Sequence, residues 1–455
     1  MENRTDGRIV YCLVSTLMLC FLLLIGCNNH PVQNNSYSLY VKDTAWGAYN
    51  VLVPPGSSPD DRQAGVLRLE KYLDSVINHH VAGTTFQLKG DYSVYYCPCD
   101  SNLLNIDAHL LAGAGTTYPP PPPPPKGGSG DGGTLTRYGF DFKVAKDSAS
   151  EGAINPVQLN KIDLSNKRVD ARKVLAIIDT GLDSQFFKNQ PTNWIWSEGP
   201  QTLLNTLPGK PKDLWQDDHK YRHGTGVAGL VYQVSATDVV PQLMILKALD
   251  QNKEGSTFSV SCAMSYAIQH KVTAVNASLG YYAPTIHDDP IMQTYDSLCN
   301  AAKIPVFAAA GNVRYDEGLT SGACVDRKVQ VNLLGAARSF FPASYAPQFP
   351  YLISVTGLKS LSAACPNQNY SEQLVKVGLY NKTNCCSYYL PFMPTGYTGS
   401  SFATPMVSGL VMKQAIANPN TDIMILLGDL ERQDRTLHAT VQGTYIGVTQ
   451  PKRVQ

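Results

Sequence analysis

The chain has 455 residues, 43% of them hydrophobic and 16% charged, an ordinary globular balance that can supply buried cores for two or three domains. Its 37 basic and 36 acidic residues leave a net charge of +1. With no run of like charges, the sequence carries no electrostatic footprint for nucleic acid, which is excluded as a partner.

Taken in chain order, Arg4 and Arg8 precede an apolar run from Ile9 to Ile25, which closes in Leu24-Ile25-Gly26-Cys27. This has the form of an export signal. It resembles the lipobox of bacterial lipoproteins, in which cleavage before the cysteine would leave Cys27 as a lipidated N-terminus. A spanning anchor is the other reading, but the run is at the short limit for a transmembrane helix, and polar Asn28-Asn29-His30 follows at once. Either way the rest of the chain is exported. Residues 1–26 are therefore expected to be a signal peptide and 27–37 a tether, with membrane attachment through the lipid. The expected address is the bacterial cell envelope, at the outer membrane where the cell has one, because Asn28 stands where an aspartate commonly retains such proteins at the inner membrane.

Export permits disulfides. Besides Cys12, Cys20 and Cys27, eight cysteines remain; Cys365 could pair with Cys385 or Cys386 across a loop rich in Tyr and Asn, and Cys262 falls in a helix-like apolar pattern that suits a buried thiol. Cys97-Pro-Cys99 is too tight for zinc ligation and has no histidine near it.

Residues 38–115 read as a small α+β domain: an extended segment through Tyr49–Val53, a helix from Gln63 to Asn78 and a strand at Tyr92–Tyr96. It suits either a propeptide or an accessory domain, and a contact with the following domain is one expectation. Residues 116–134 contain seven consecutive prolines, Pro119 to Pro125, and then a glycine-rich stretch. These make a stiff rod and a flexible joint, a spacer rather than a ligand for a proline-recognising module.

From 135 to 455 the pattern changes. Val174–Ile178, Gln242–Lys247, Lys271–Asn276, Pro305–Ala309 and Tyr351–Val355 are continuous apolar runs suited to strands buried on both faces. Between them, His223–Tyr232, Ser256–His270, Ile291–Lys303 and Thr404–Ala417 carry helical periodicity. The alternation predicts an α/β fold, a three-layer αβα arrangement around a largely parallel sheet, whose ligands bind at the carboxyl ends of the strands.

Three motifs place chemistry on this frame. Val174-Leu-Ala-Ile-Ile-Asp179-Thr-Gly ends a buried strand in a carboxylate that must be paired. Arg222-His223-Gly-Thr-Gly opens a helix, and Gly399-Ser-Ser401-Phe-Ala-Thr-Pro405 sets a serine at another, with Pro405 expected just inside the helix start. A serine hydroxyl needs a base within reach and a third group to fix that base's tautomer, and the order Asp, His, Ser is one of the known chain orders for such a triad.

Residues 165 to 425 resemble the subtilisin-like (subtilase) serine peptidases. The resemblance implies Asp179, His223 and Ser401 as the catalytic set and Asn312, in Ala309-Ala310-Gly311-Asn312, as the oxyanion-hole donor. It implies Ser278, Leu279 and Gly280, in Val275-Asn-Ala-Ser-Leu-Gly280, as the segment that pairs with substrate backbone, and Ala309, Ala310 and Gly311 as substrate-binding residues. Leu246–Leu249 with Gly255-Ser256, and Phe341-Pro-Ala343 with Ile353-Ser-Val355, match further blocks of that family. Protein or peptide substrates are implied. The departures are Gly226 where the family usually has histidine, Ser400 for threonine and Phe402 for methionine. Structural calcium is common in the family, but no cluster here has suitable ligand spacing, so no cofactor or metal is expected. The 44 positions from Asp179 to His223 leave room for a lid containing Trp194, Trp196 and Trp215. Tyr281 and Tyr282 suggest an aromatic rim, and Arg314, Asp316 and Glu317 could bring charge to the primary pocket. A self-inhibited or silent binding protein is the competing function.

Overall fold

The computed structural model describes residues 160–197, 205–207, 210–211, 214–234, 238–283, 296, 299–312, 339–360, 363–365, 368–371, 374–381, 386–432 and 444–448, with the short strands Tyr37–Asp43, Gly47–Val53, Ser93–Tyr96, Arg137–Phe140 and Lys143–Val144 ahead of them. The signal segment, the Gln63–Asn78 helix, the proline rod, Cys97, Cys99, Arg314, Asp316 and Glu317 lie outside the described residues.

The central sheet consists of β1 (Arg168–Asp179), β2 (Val239–Lys247), β3 (Ala274–Ala277), β4 (Val306–Ala309), β5 (Leu352–Ser360), β6 (Ala363–Ala364), β7 (Val377–Asn381) and β8 (Thr444–Val448). Their spatial order is β8-β7-β5-β4-β3-β1-β2, and every pair along it is parallel. The short β6 alone runs antiparallel, on β5. All five expected strands are present, with ends shifted by a few residues; β7 and β8 were not foreseen.

The sequence of β1 shows how the layers arise. Successive side chains of a strand point to opposite faces, and in β1 both faces are covered. Leu175 and Ile177 join α1 (His223–Val234) and the later helix residues Phe402, Met406 and Val411, whereas Val174, Ala176 and Ile178 join Val260, Ala263, Met264 and Ala267 of α2 (Thr257–Gln269). A continuous apolar strand is thus the signature of a middle layer. From β1 the chain steps to β2 on one side, then returns through α2 to β3 on the other. Right-handed crossovers in opposite directions put α1 and α2 on opposite faces and leave a switch point between β1 and β3.

The helices α3 (Ser400–Ala417) and α4 (Ile423–Arg432) complete the α1 face. α3 is buried almost all round through its first ten residues, as befits a central helix. α2 is closed by a capping box, in which Ser256 Oγ accepts from the Ser259 backbone N–H and Ser259 Oγ accepts from that of Ser256. The expected Ile291–Lys303 helix falls mostly outside the described residues.

Several expectations are corrected. α3 starts at Ser400 rather than Thr404, so Pro405 sits in its second turn and removes the donor that Ser401's carbonyl would otherwise meet. Trp194 is no lid residue: it is buried against Phe187 and Tyr232, while Trp196 packs on Tyr266 and His270 and Trp215 lies against the core. Tyr281 is no rim residue, since it is buried beside Phe341 in the α2 layer. Of the two cysteine pairings left open, Cys365–Cys386 is formed; it ties the end of the sheet to the hairpin Ser387–Leu390/Met393–Thr398, which runs into Gly399. Cys262 is a buried thiol on α2.

Arg137–Phe140, expected to open the second domain, pairs with Gly47–Val53 as the fourth strand of the antiparallel N-terminal sheet.

Gly226 has a packing reason. A Cβ there would fall 2.7 Å from Cζ and 2.8 Å from the hydroxyl of Tyr397, so the tyrosine occupies the space a histidine would need. Gly226→Ala should therefore destabilise the fold by about 1–3 kcal/mol through overpacking, and a Tyr397→Leu background should recover much of that loss. A double-mutant cycle on urea midpoints measures the coupling; additive effects would show that the tyrosine is not the obstacle.

Candidate active site

Asp179, His223 and Ser401 lie 44 and 178 residues apart in sequence and meet at the carboxyl end of β1. His223 Nδ1 is 2.7 Å from Asp179 Oδ1, and His223 Nε2 is 3.3 Å from Ser401 Oγ. A carboxylate can only accept, so the neutral ring carries its proton on Nδ1 and leaves Nε2 to accept from the serine. The second contact is long for a hydrogen bond. All three side chains are fully buried. Asp179 Oδ1 also accepts from the Thr180 backbone N–H at 2.7 Å.

Each side chain is placed by a local device. Gly181, with φ of +105°, turns the chain after Asp179 where a Cβ would lie 2.2 Å from the Trp215 carbonyl, a conformation and a contact only glycine tolerates. His223 is the first residue of α1, following Arg222 in the left-handed region at φ +51°. Arg222 is held there by hydrogen bonds from its guanidinium to Asp183 Oδ2 at 3.0 Å and to the His219 carbonyl at 2.6 Å. Ser401 lies in the first turn of α3 behind Gly399, whose φ of +125° again requires glycine. The ring of Phe402 packs on His223 with centroids 4.8 Å apart, and Tyr397 stacks on Phe402 at 4.2 Å.

Asn312 is close by. The Ser400 backbone N–H donates to Asn312 Oδ1 at 3.0 Å, and the Gly311 N–H donates to Ser400 Oγ at 3.0 Å. These bonds lock the Ala309–Asn312 segment to the start of α3 and set the Asn312 amide with its oxygen toward the helix backbone. Asn369, which sequence reasoning passed over, latches the segment from behind: its N–H donates to the Gly311 carbonyl and its Nδ2 to the Ala310 carbonyl, both at 2.9 Å. Ser278-Leu279-Gly280 leaves β3 next to the end of β1, with Ser278 Oγ accepting from Asn276 Nδ2 at 2.9 Å.

Two further buried charges were also missed. Lys247, at the end of β2, donates to the Thr180 carbonyl at 2.7 Å, to the Gln216 carbonyl at 3.1 Å and to Asp218 Oδ1 at 2.6 Å. Asp217 accepts from Thr180 Oγ1 at 2.9 Å, from the Thr225 N–H and Oγ1 at 2.9 and 2.7 Å, and from the His219 N–H at 3.2 Å. Thr180 Oγ1 in turn accepts from the Gly224 N–H at 2.8 Å. Asp217 therefore ties the residue after Asp179 to the first turn of the helix that carries His223. Nothing in Trp215-Gln-Asp-Asp218 distinguishes Asp217 from Asp218; only burial does, since Asp217 is fully buried and Asp218 is 54% exposed at its side chain. Among the described residues, no three His, Cys, Asp or Glu side chains converge as metal ligands would.

Burial pushes the Asp217 carboxyl up to about 6 from its ordinary 3.8; the nearby Asp179 charge adds to the rise, and hydrogen bonds from Thr225 and Thr180 oppose it. In the unfolded chain the group titrates at its ordinary value. Between about pH 4 and 6 the folded state therefore holds the extra proton, and the contribution of this group to stability falls as pH rises. Relative to Asp217→Asn, wild-type stability should decline across that window by at most about 3 kcal/mol, read from urea midpoints; a constant difference would mean that Asp217 does not titrate there. Misplacing His223 by this substitution should also lower turnover about 100-fold.

A comparison with protein families matches residues 171–447 to the subtilase family. No curated protein sequence matches the chain. A solved structure described as the crystal structure of a lanthipeptide protease is similar at 18% identity, with a TM-score of 0.41, over 61% of this chain and 85% of that one. The family match spans more than half of the chain, including the strands and helices that hold Asp179, His223, Asn312 and Ser401: this protein belongs to the subtilase family and is a subtilisin-like serine peptidase.

Proposed function

We propose that the protein is an exported, lipid-anchored endopeptidase that cleaves peptide bonds through an acyl-enzyme at Ser401. The observation that carries this reading is the unbroken contact chain from Asp179 Oδ1 through the imidazole of His223 to Ser401 Oγ. Ser401 Oγ attacks the scissile carbonyl carbon while His223 Nε2 takes its proton. Asp179 holds the ring in the Nδ1–H tautomer and stabilises the imidazolium. The oxyanion receives hydrogen bonds from the Asn312 amide and from the Ser401 N–H in the first turn of α3, reinforced by that helix's dipole. His223 then protonates the leaving amine, and water, deprotonated by the same nitrogen, frees the acyl group. Substrate lies extended along Ser278-Leu279-Gly280 as an added strand.

A specific pairing favours a self-inhibited form of the same enzyme. Ala248 and Leu249 N–H both donate to the Asp179 carbonyl, and Leu249 bridges Gly255, so the Gly255-Ser256 edge lies one pairing away from the site. That edge is paired antiparallel with Lys143–Val144, while Tyr37–Asp43 of the N-terminal sheet packs against α2. These contacts support a reading in which the upstream chain restrains access to the site from the Gly255-Ser256 edge.

Fluorophosphonate labelling of the chain from residue 28 tests both readings. Wild type should label, Ser401→Ala should not, and Asn312→Ala should turn over peptide about 100- to 1000-fold more slowly. Val144→Pro, which introduces a residue poorly tolerated in a paired strand, should raise the labelling rate; an unchanged rate would count against inhibition by this segment. Labelling that survives in Ser401→Ala would overturn the nucleophile.

The lipid anchor rests on Leu24-Ile25-Gly26-Cys27 and places the enzyme on the bacterial envelope, at the outer membrane where there is one. Cys27→Ser should move the protein from the membrane fraction to the soluble one after cell lysis; continued membrane retention would favour a spanning anchor.

A further inference from the structure

Two segments that flank the proposed substrate position close on one side chain. A methyl group placed on Gly280 would fall 2.4 Å from Cε1 and Cζ of Phe340, and one placed on Gly311 would fall 2.8 Å from Cδ1 and Cδ2 of the same ring. The ring therefore lies directly against both glycine backbones, with no room for even a single extra carbon at either wall. Phe340 is only 3% exposed, yet it belongs to neither of the two core layers on the sheet. Its backbone is fixed by the pairing of Ser339–Phe341 with Tyr281–Ala283, and its carbonyl accepts from Ser344 Oγ at 2.6 Å. The ring is thus held from a strand paired with Tyr281–Ala283, which directly continues the Ser278–Gly280 segment.

The position matters because of what must come beside it. In the substrate pose proposed above, with the scissile carbonyl at Ser401, its oxygen at Asn312 and the chain extended along Ser278–Gly280, the side chain of the residue that supplies that carbonyl would enter between Gly311 and Gly280. That gap is where the Phe340 ring stands.

We propose that Phe340 fills the primary specificity pocket and restricts the enzyme to a small residue, Gly, Ala or Ser, on the acyl side of the scissile bond. Aromatic and long aliphatic side chains there meet the ring instead of a cavity. This rests on the assignment of Ser401 as nucleophile and of the two glycine-ended segments as the pocket walls.

The test is a set of internally quenched peptides, identical except for Gly, Ala, Ser, Leu or Phe at that position, given to the chain from residue 28 and to Phe340→Ala, with Ser401→Ala as control. Wild-type kcat/KM should be about 10- to 100-fold higher for Ala than for Phe. In Phe340→Ala the Phe/Ala ratio of kcat/KM should rise at least about tenfold. Should Phe340→Ala fail to fold, Phe340→Leu and the wild-type profile carry the test. Ser401-dependent cleavage that favours Phe or Leu in wild type, or a Phe/Ala ratio unmoved by the substitution, overturns the role of Phe340 alone. Cleavage that persists in Ser401→Ala, or no cleavage by wild type and none by Val144→Pro, overturns the catalytic assignment and this one with it.

Discussion

Asp179 ends a strand whose last five residues have no contact with solvent, and a carboxylate in that position is tolerable only where hydrogen-bond donors converge on it. The Thr180 N–H and the His223 ring meet the same oxygen. The chain beyond cannot wander either. Gly181 backs onto the Trp215 carbonyl, Lys247 holds the Thr180 carbonyl, and Asp217 joins the Thr180 hydroxyl to the first turn of α1. Two oriented donors thus reach one oxygen of a buried acid at a strand end, and one of them is a histidine held in a single tautomer.

The serine reaches the same point because of packing. α1 and α3 share one face of the sheet and one core, so the first residue of one and the second of the other can face each other. Their separation is small because glycine lies where they touch: a Cβ on Gly409 would fall 2.9 Å from the Val231 carbonyl of α1. A 3.3 Å contact between Ser401 and His223 is therefore the end product of two helices pressed together over many residues. The cooperative cost of disturbing that packing keeps the site rigid.

Aromatic rings take up the space that the family pattern leaves open in this chain. Tyr397 stands over Gly226, stacks on Phe402 and donates to the Tyr221 carbonyl at 3.2 Å, while Phe402 supports the His223 ring. Gly226 and Phe402, which look like two unrelated departures in the sequence, are parts of one packed unit with Tyr397. Phe340 plays a comparable part between Gly280 and Gly311. Planar rings suit both places because they fill a flat gap between backbones and present large apolar area at little conformational cost.

The sequence by itself determined five strands of the middle layer, the helices α1 and α2, most of α3, and the three side chains that the structure brings into contact, Asp179, His223 and Ser401. Those depend on short-range chemistry: apolar runs that can only be buried strands, and an acid, a base and a nucleophile set among glycines. It could not rank Asp217 above Asp218, recognise Lys247 or Asn369 as supports, or see that Tyr281 and Trp194 face inward. For a residue on an irregular segment, the direction of the side chain depends on what the rest of the chain packs against it. The same holds for Arg137–Phe140, whose place in the N-terminal sheet depends on which strand edge stands open beside it, and for Cys386 over its neighbour Cys385. Tertiary structure decided these because burial, pairing partner and pocket volume are properties of the assembled neighbours rather than of any local run of residues.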